Sequence, residues 1–212
     1  AKDLLLQLES LHGNDPPFAH RDIKCENVMV DVTDLASLDR EENPVIARLI
    51  DFDWTQEAIA QFDKGDQKGT VYYCAPELVQ FDKTEIDLRP ADMFAFGVLL
   101  YLMTNYKYPW KRNEHGIGAK DNLKSIKGKQ IKNVHHFKLS PETPEVFAQI
   151  IQNLLIAEPT DRWTATQTLE ALEEEDLERQ RLEQITKDAE KIEEDRLEQM
   201  VEDQEEYGAQ GD

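Results

Sequence analysis

Within six positions, from Asp22 to Asn27, the run His20-Arg21-Asp22-Ile23-Lys24-Cys25-Glu26-Asn27 brings together a carboxylate, an ammonium and a side-chain amide. An aspartate so placed can take a proton from a hydroxyl, and a lysine can set positive charge beside an anion. Aspartate and asparagine also offer hard oxygens to a divalent cation. Asp51-Phe52-Asp53 begins 24 residues after Asn27, and Gly69-Thr70-Val71-Tyr72-Tyr73-Cys74-Ala75-Pro76-Glu77 follows it. Each residue also has a plain alternative. Asp22, Lys24 and Asn27 would suit a solvated turn between a helix and a strand. Thr70 would suit a hydroxyl bonded to its own backbone. Asp92 would suit a carboxylate favoured by a helix N-terminus.

In order and spacing, the three motifs resemble those of the eukaryotic protein kinase family: an H-R-D-x-K-x-x-N catalytic loop, a D-F-x metal motif and A-P-E. The resemblance implies an α+β, mainly α fold over residues 1–172, the C-terminal, larger lobe of a protein-kinase-like domain with a small β hairpin. Residues 173–212 would form an acidic tail, helical or disordered. The implied reaction is transfer of the γ-phosphate of ATP to a protein hydroxyl with Mg²⁺. Asp22 would orient that hydroxyl and accept its proton, and Lys24 would place its charge on the transferring phosphate. Asn27 and Asp51 would bind Mg²⁺, and Met29 would floor the adenine. His20, Arg21, Thr70, Glu77, Asp92 and Arg162 would serve structure. Among these, Asp92 would accept backbone hydrogen bonds from the catalytic loop, and Glu77 would pair with Arg162. Lys24, two residues after Asp22, and Gly69-Thr70-x-x-Tyr73 resemble serine/threonine rather than tyrosine kinases.

The resemblance also breaks in places. Asp53 stands where the family has glycine. No glycine-rich loop, V-A-I-K lysine or partner glutamate occurs in the 212 residues, so the resemblance implies an N-lobe upstream in the same polypeptide and a chain inactive alone. Arg21 in such a loop pairs with a phosphorylated residue, yet 56–69 holds no Ser, Thr or Tyr; Asp63 or Asp66 is expected to neutralise Arg21 instead. Two other classes stay open: a pseudokinase scaffold that binds partners without catalysis, and a small-molecule phosphotransferase.

The elements that must position these residues are readable from periodicity. Leu4, Leu5, Leu8 and Leu11 keep helical spacing until breakers from His12 to Pro17. Residues 28–30 and 47–50 read as short strands of one hairpin, joined by a polar loop over 31–44. The stretch 51–77 shows no clear period. Ala91 to Thr104 is apolar on nearly every side, a central buried helix stopped by Pro109. A connection with Gly116, Gly118 and Gly128 leads to a helix from about Pro144 to Ala157, and Thr160 or Asp161 would cap another through Leu172.

Charge and composition narrow the partners. The formal net charge is −20, of which residues 173–212 contribute −12. That acidity disfavours nucleic acid and anionic lipid. The longest apolar run, Met93 to Met103, has 11 residues, too short to span a bilayer, which takes about 20. Two cysteines and no secretory segment suggest a cytoplasmic, soluble protein with free thiols. No His/Cys grouping has zinc spacing, and His135-His136 reads as surface. In the tail, Leu182, Ile185, Ala189 and Ile192 keep a 3-4-3 spacing that Arg196 and Gln199 interrupt. It reads as a solvated helix laced by Glu175–Arg179 and Glu183–Lys187, or as a coiled-coil partner surface.

Overall fold

The computed structural model describes residues 1–31, 46–62, 70–80, 84–109 and 137–209. The loop over 32–45, Asp63, Asp66, Gly69, the glycine-containing connection and His135-His136 lie outside them. The fold is mixed α/β, built from helices and, among the described residues, three two-stranded antiparallel sheets.

Helix α1 (Lys2–His12) buries Leu4, Leu5, Leu8 and His12, a single stripe at i, i+3/i+4 and i+7 spacing. Its polar edge has a second use. Gln7 Nε2 donates to Ala47 O at 2.9 Å, Leu49 N donates to Gln7 Oε1 at 2.9 Å, and Ala47 N donates to Asp3 Oδ2 at 3.0 Å. These bonds satisfy the outer edge of the hairpin formed by β2 (Val28–Asp31) and β3 (Ile46–Leu49). An unpaired strand edge would otherwise expose a row of donors and acceptors. The hairpin pairs Val28 with Leu49 and Met29 with Arg48.

One hairpin was the expectation; the other two sheets correct it. Strand β1 (Phe18–Ala19) pairs with β4 (Gln56–Glu57), and β5 (Ile59–Phe62) with β6 (Thr84–Asp87). Part of the aperiodic 51–77 stretch is therefore strand. The strands are joined by Ala58 N to Pro17 O at 2.7 Å and Leu88 N to Ala58 O at 2.9 Å. Beneath them Ala19, Ala58, Phe62 and Leu88 form a buried cluster.

Helix α2 (Glu77–Gln80) is a single turn, and α3 (Arg89–Asn105) forms the core with Met93, Phe94, Phe96, Val98, Leu99 and Tyr101 buried. It ends at Tyr106, which takes a left-handed conformation (φ 55°) and donates its amide to Leu102 O at 2.9 Å. That C-cap, not Pro109, stops the helix. Helix α4 (Glu145–Leu154) turns Ile150, Ile151 and Leu154 onto α3. The approach is close: a Cβ on Gly97 would lie 2.7 Å from Leu154 Cβ and 3.1 Å from Leu155 Cδ2. A Gly97→Ala variant is expected to lose about 1–3 kcal/mol through overpacking. Urea unfolding checks this; an unchanged midpoint would contradict it.

Helix α5 (Ala165–Ala209) starts later than expected. Thr160 and Asp161 belong to a preceding 3₁₀ turn, Pro159–Asp161. The cap is Thr164: Gln167 N donates to Thr164 Oγ1 at 3.2 Å, and Thr164 N donates to Gln167 Oε1 at 2.9 Å. This reciprocal pair satisfies two helix-terminal donors at once.

The chain divides into compact units Ala1–Ala171 and Leu172–Asp212. Among the described side chains of the second, the ion pairs form at three-residue rather than four-residue spacing: Arg179 with Asp176 at 2.9 Å, Arg181 with Glu178 at 3.9 Å, and Arg196 with Glu193 at 3.6 Å. Arg179 thus meets Asp176 rather than Glu175. Leu177, Leu182, Ile185 and Ile192 are exposed. Among the described residues, no helix is long and apolar enough to cross a membrane.

Asp87 and Arg89 bracket the start of α3. Burial alone would raise the Asp87 carboxyl, but the hydrogen bonds and charge of Arg89, at 2.7–3.1 Å, outweigh it and hold the group below its ordinary value. A depressed folded-state value means the unfolded chain binds protons more tightly in acid. The pair's contribution is present above the ordinary carboxylate range, about pH 4, and is lost as pH falls through the folded value. An Arg89→Ala variant is therefore expected to unfold in acid at a higher pH than the parent, and coincident acid-unfolding curves would refute this.

Candidate active site

The segment after β1 is held from behind by one carboxylate. Asp92 sits in the first turn of α3 and is 2% exposed. Its Oδ2 accepts His20 N at 2.7 Å and its Oδ1 accepts Arg21 N at 2.8 Å. His12 Nε2 lies 3.1 Å from the same Oδ2. A buried carboxylate needs such a set of donors to offset its lost hydration. Its tethering lets Arg21 keep a left-handed backbone, φ 70°.

Asp22 is buried as well, 4% exposed. Its Oδ2 accepts Lys24 Nζ at 2.6 Å and Asn27 Nδ2 at 3.0 Å, while Thr70 Oγ1 lies 3.5 Å from Oδ1. Asn27 Nδ2 also donates to Asp22 O at 2.9 Å. Both of its acceptors are oxygens, which fixes the amide orientation. Asn27 Oδ1 is thereby left with no hydrogen bond among the described residues. A 3₁₀ turn, Cys25–Asn27, closes the segment and feeds β2.

Asp51 is brought alongside through its backbone. Ile50 N donates to Asn27 O at 3.0 Å, and His20 Nε2 donates to Ile50 O at 3.2 Å. His20 Nδ1 accepts the Asp22 amide at 3.4 Å, and the Phe52 ring lies 4.8 Å from the imidazole. Buried His20 thus joins the two motifs by both ring nitrogens. Asp51 is exposed, has φ 65°, and its carboxylate makes no hydrogen bond to a described residue. The left-handed residue is Asp51, not Asp53, so position 53 places no demand here that only glycine could meet. Met29 is exposed on β2 opposite Arg48. Among the described residues, no three of His, Cys, Asp and Glu cluster as a metal site.

The guanidinium of Arg162 is fully engaged. Nη1 and Nη2 meet Glu77 Oε1 and Oε2 at 2.7 and 3.1 Å, and further bonds run to the carbonyls of Pro90, Ile156 and Ala157. Its Cζ stands 5.0 Å above the Phe94 ring. Arg21 Nη1 donates to Gln56 Oε1; the acids expected there, Asp63 and Asp66, lie outside the described residues.

A model of the protein kinase domain matches residues 1–172. The chain belongs to the protein kinase domain family. It is 29% identical over 152 residues to human MAP kinase-activated protein kinase 2, covering 70% of this chain and 34% of that protein. It is 27% identical over 145 residues to serine/threonine-protein kinase SAPK9 of Oryza sativa subsp. japonica (68% and 36%). To dual specificity protein kinase shkC of Dictyostelium discoideum it is 30% identical over 116 residues (53% and 20%). The chain thus spans well under half the length of these relatives.

Two contributors to this kinase-domain site went unread in the sequence. His12 falls one turn beyond Leu8 on the buried stripe of α1, and that position is the signal for a buried imidazole. Tyr73 accepts the Cys25 amide on its hydroxyl at 3.3 Å and packs edge-on to Tyr108. Burial pushes the Tyr73 phenol well above its ordinary value, outweighing the Cys25 amide, whose donated bond favours the phenolate. It bears on the loop as a neutral strut. Nothing local in the sequence signals its contact with Cys25.

Proposed function

We propose that residues 1–172 form the large lobe of a serine/threonine protein kinase, transferring the γ-phosphate of ATP to a protein hydroxyl. The observation that carries this reading is the buried Asp22 carboxylate, with Lys24 and Asn27 on one oxygen and Thr70 at the other. Mg²⁺ and ATP fit the donors present: Asn27 Oδ1 and the Asp51 carboxylate are hard oxygens without other hydrogen bonds, of the kind Mg²⁺ takes. When bound, Mg·ATP supplies the phosphoryl group and the charge that steadies its oxygens.

The remaining roles fall to the chain. Asp22 orients the acceptor hydroxyl and takes its proton, and Lys24, tethered to that carboxylate, holds positive charge beside it. Asn27 and Asp51 hold the metal, and the exposed Met29 side chain offers an apolar floor for adenine. His20, Arg21 and Asp92 fix the loop backbone, and Thr70 steadies Asp22. Glu77 and Arg162 anchor the segment that receives the substrate protein. Lys24 and Thr70 support the serine/threonine class, as does similarity to relatives such as the serine/threonine-protein kinase SAPK9. In the acidic tail, Leu182, Ile185, Ala189 and Ile192 form the stripe that a coiled-coil partner would cover.

The test is transfer of label from γ-labelled Mg·ATP to serine, threonine and tyrosine peptides by the protein that carries this chain. Serine or threonine labelling that disappears in Asp51→Asn is the expected result. Nucleotide binding without transfer to any hydroxyl would instead leave a scaffold, and transfer to small-molecule hydroxyls alone would leave the phosphotransferase class.

A further inference from the structure

A cavity of about 360 Å³ opens between the end of α1, the start of α3 and the 162–166 segment. That volume lies within the range of small-molecule sites, roughly 300–1,000 Å³. Pro90, Met93 and Trp163 supply its apolar walls: a ring edge, a polarizable thioether and an indole, all suited to a flat aromatic body.

Its polar groups are few and mostly spent. All five N–H groups of Arg162 are taken by Glu77 and backbone carbonyls, and the charge of Arg89 is matched by Asp87. His12 differs. It is 9% exposed and lines the cavity, and its Nε2 is committed to Asp92 Oδ2. Its Nδ1 meets no hydrogen-bond partner among the described residues. With Nε2–H directed at a carboxylate, Nδ1 of the neutral ring carries a lone pair and is an acceptor. Glu9, on the rim, adds negative charge that no cation in the lining cancels, so anions are disfavoured.

We infer that this cavity binds a planar, non-anionic aromatic molecule through an N–H donated to His12 Nδ1. The site is distinct from the Asp22 region, and its occupancy does not depend on the proposed phosphoryl transfer. Indole is a fitting probe, and 1-methylindole is the same ring without the donor. Titration into the full chain carrying ¹³C-methyl methionine reads the site through Met93. The expected result is a saturable shift of the Met93 methyl, with Met29 unmoved and a dissociation constant in the millimolar range or tighter, as suits so small a ligand. Indole should bind at least about tenfold more tightly than 1-methylindole, one lost buried hydrogen bond being about that size. Thr166→Trp, an exposed rim substitution that keeps the buried groups intact, should weaken indole by at least a similar factor. An unmoved Met93, a shift at Met29 in its place, equal affinity for the two probes, or full binding by Thr166→Trp would each overturn the inference.

Discussion

Replacing Asp22 by asparagine is expected to lower the phosphoryl-transfer rate by roughly 10²–10⁴-fold, the usual contribution of a positioned general base. The substitution is nearly isosteric. Its Oδ1 can still accept from Lys24 and Asn27, and its Nδ2 can donate to the Thr70 hydroxyl, so the three bonds around position 22 survive. Loss of rate should therefore come without loss of nucleotide affinity or of thermal stability. Steady-state assays with a peptide substrate, run beside nucleotide titration, separate the two. A variant that kept more than about a tenth of the parental rate would take proton acceptance away from Asp22.

The second large effect is on stability. An Arg162→Met variant leaves Glu77, 3% exposed, without its partner and strands the carbonyls of Pro90, Ile156 and Ala157. Breaking a buried pair by removing one member costs about 3–5 kcal/mol, a large share of the 5–15 kcal/mol by which domains are typically stable. The urea midpoint should fall accordingly. The double variant Glu77→Gln/Arg162→Met should recover part of the loss, because the stranded charge is gone. A cost below about 1 kcal/mol for Arg162→Met would mean that the pair is better solvated than its burial indicates.

What the sequence revealed depended on how local the cause was. The β2–β3 hairpin and helices α1 and α3 were legible because each carries its own hydrophobic pattern over several residues. Strands β1 and β4 have two residues each, too few for any period to register. Strand β5 alternates, but it lies among Asp, Lys, Gln and Gly that read as loop. The start of α5 was misplaced because Thr160 and Asp161 are good caps by type, whereas the deciding feature is the Thr164–Gln167 reciprocity. Within the site, Asp22, Lys24 and Asn27 are neighbours in sequence and meet directly. The Glu77–Arg162 pair spans 85 positions and His12–Asp92 spans 80. Family resemblance pointed to the first, and no spacing rule reaches the second. The family resemblance rested on motif order, and the match of the protein kinase domain model to residues 1–172 agrees with it.

The left-handed backbones at Arg21 and Asp51 bear on how this domain would respond to selection for heat resistance. Left-handed geometry costs a non-glycine residue on the order of 1 kcal/mol, less for asparagine and aspartate, and glycine substitutions relieve it. A directed-evolution screen that rewards melting temperature alone would favour those replacements at both positions. At position 51 the same step would delete the carboxylate proposed to hold Mg²⁺, so on that proposal the screen would enrich robust clones with lowered phosphoryl transfer.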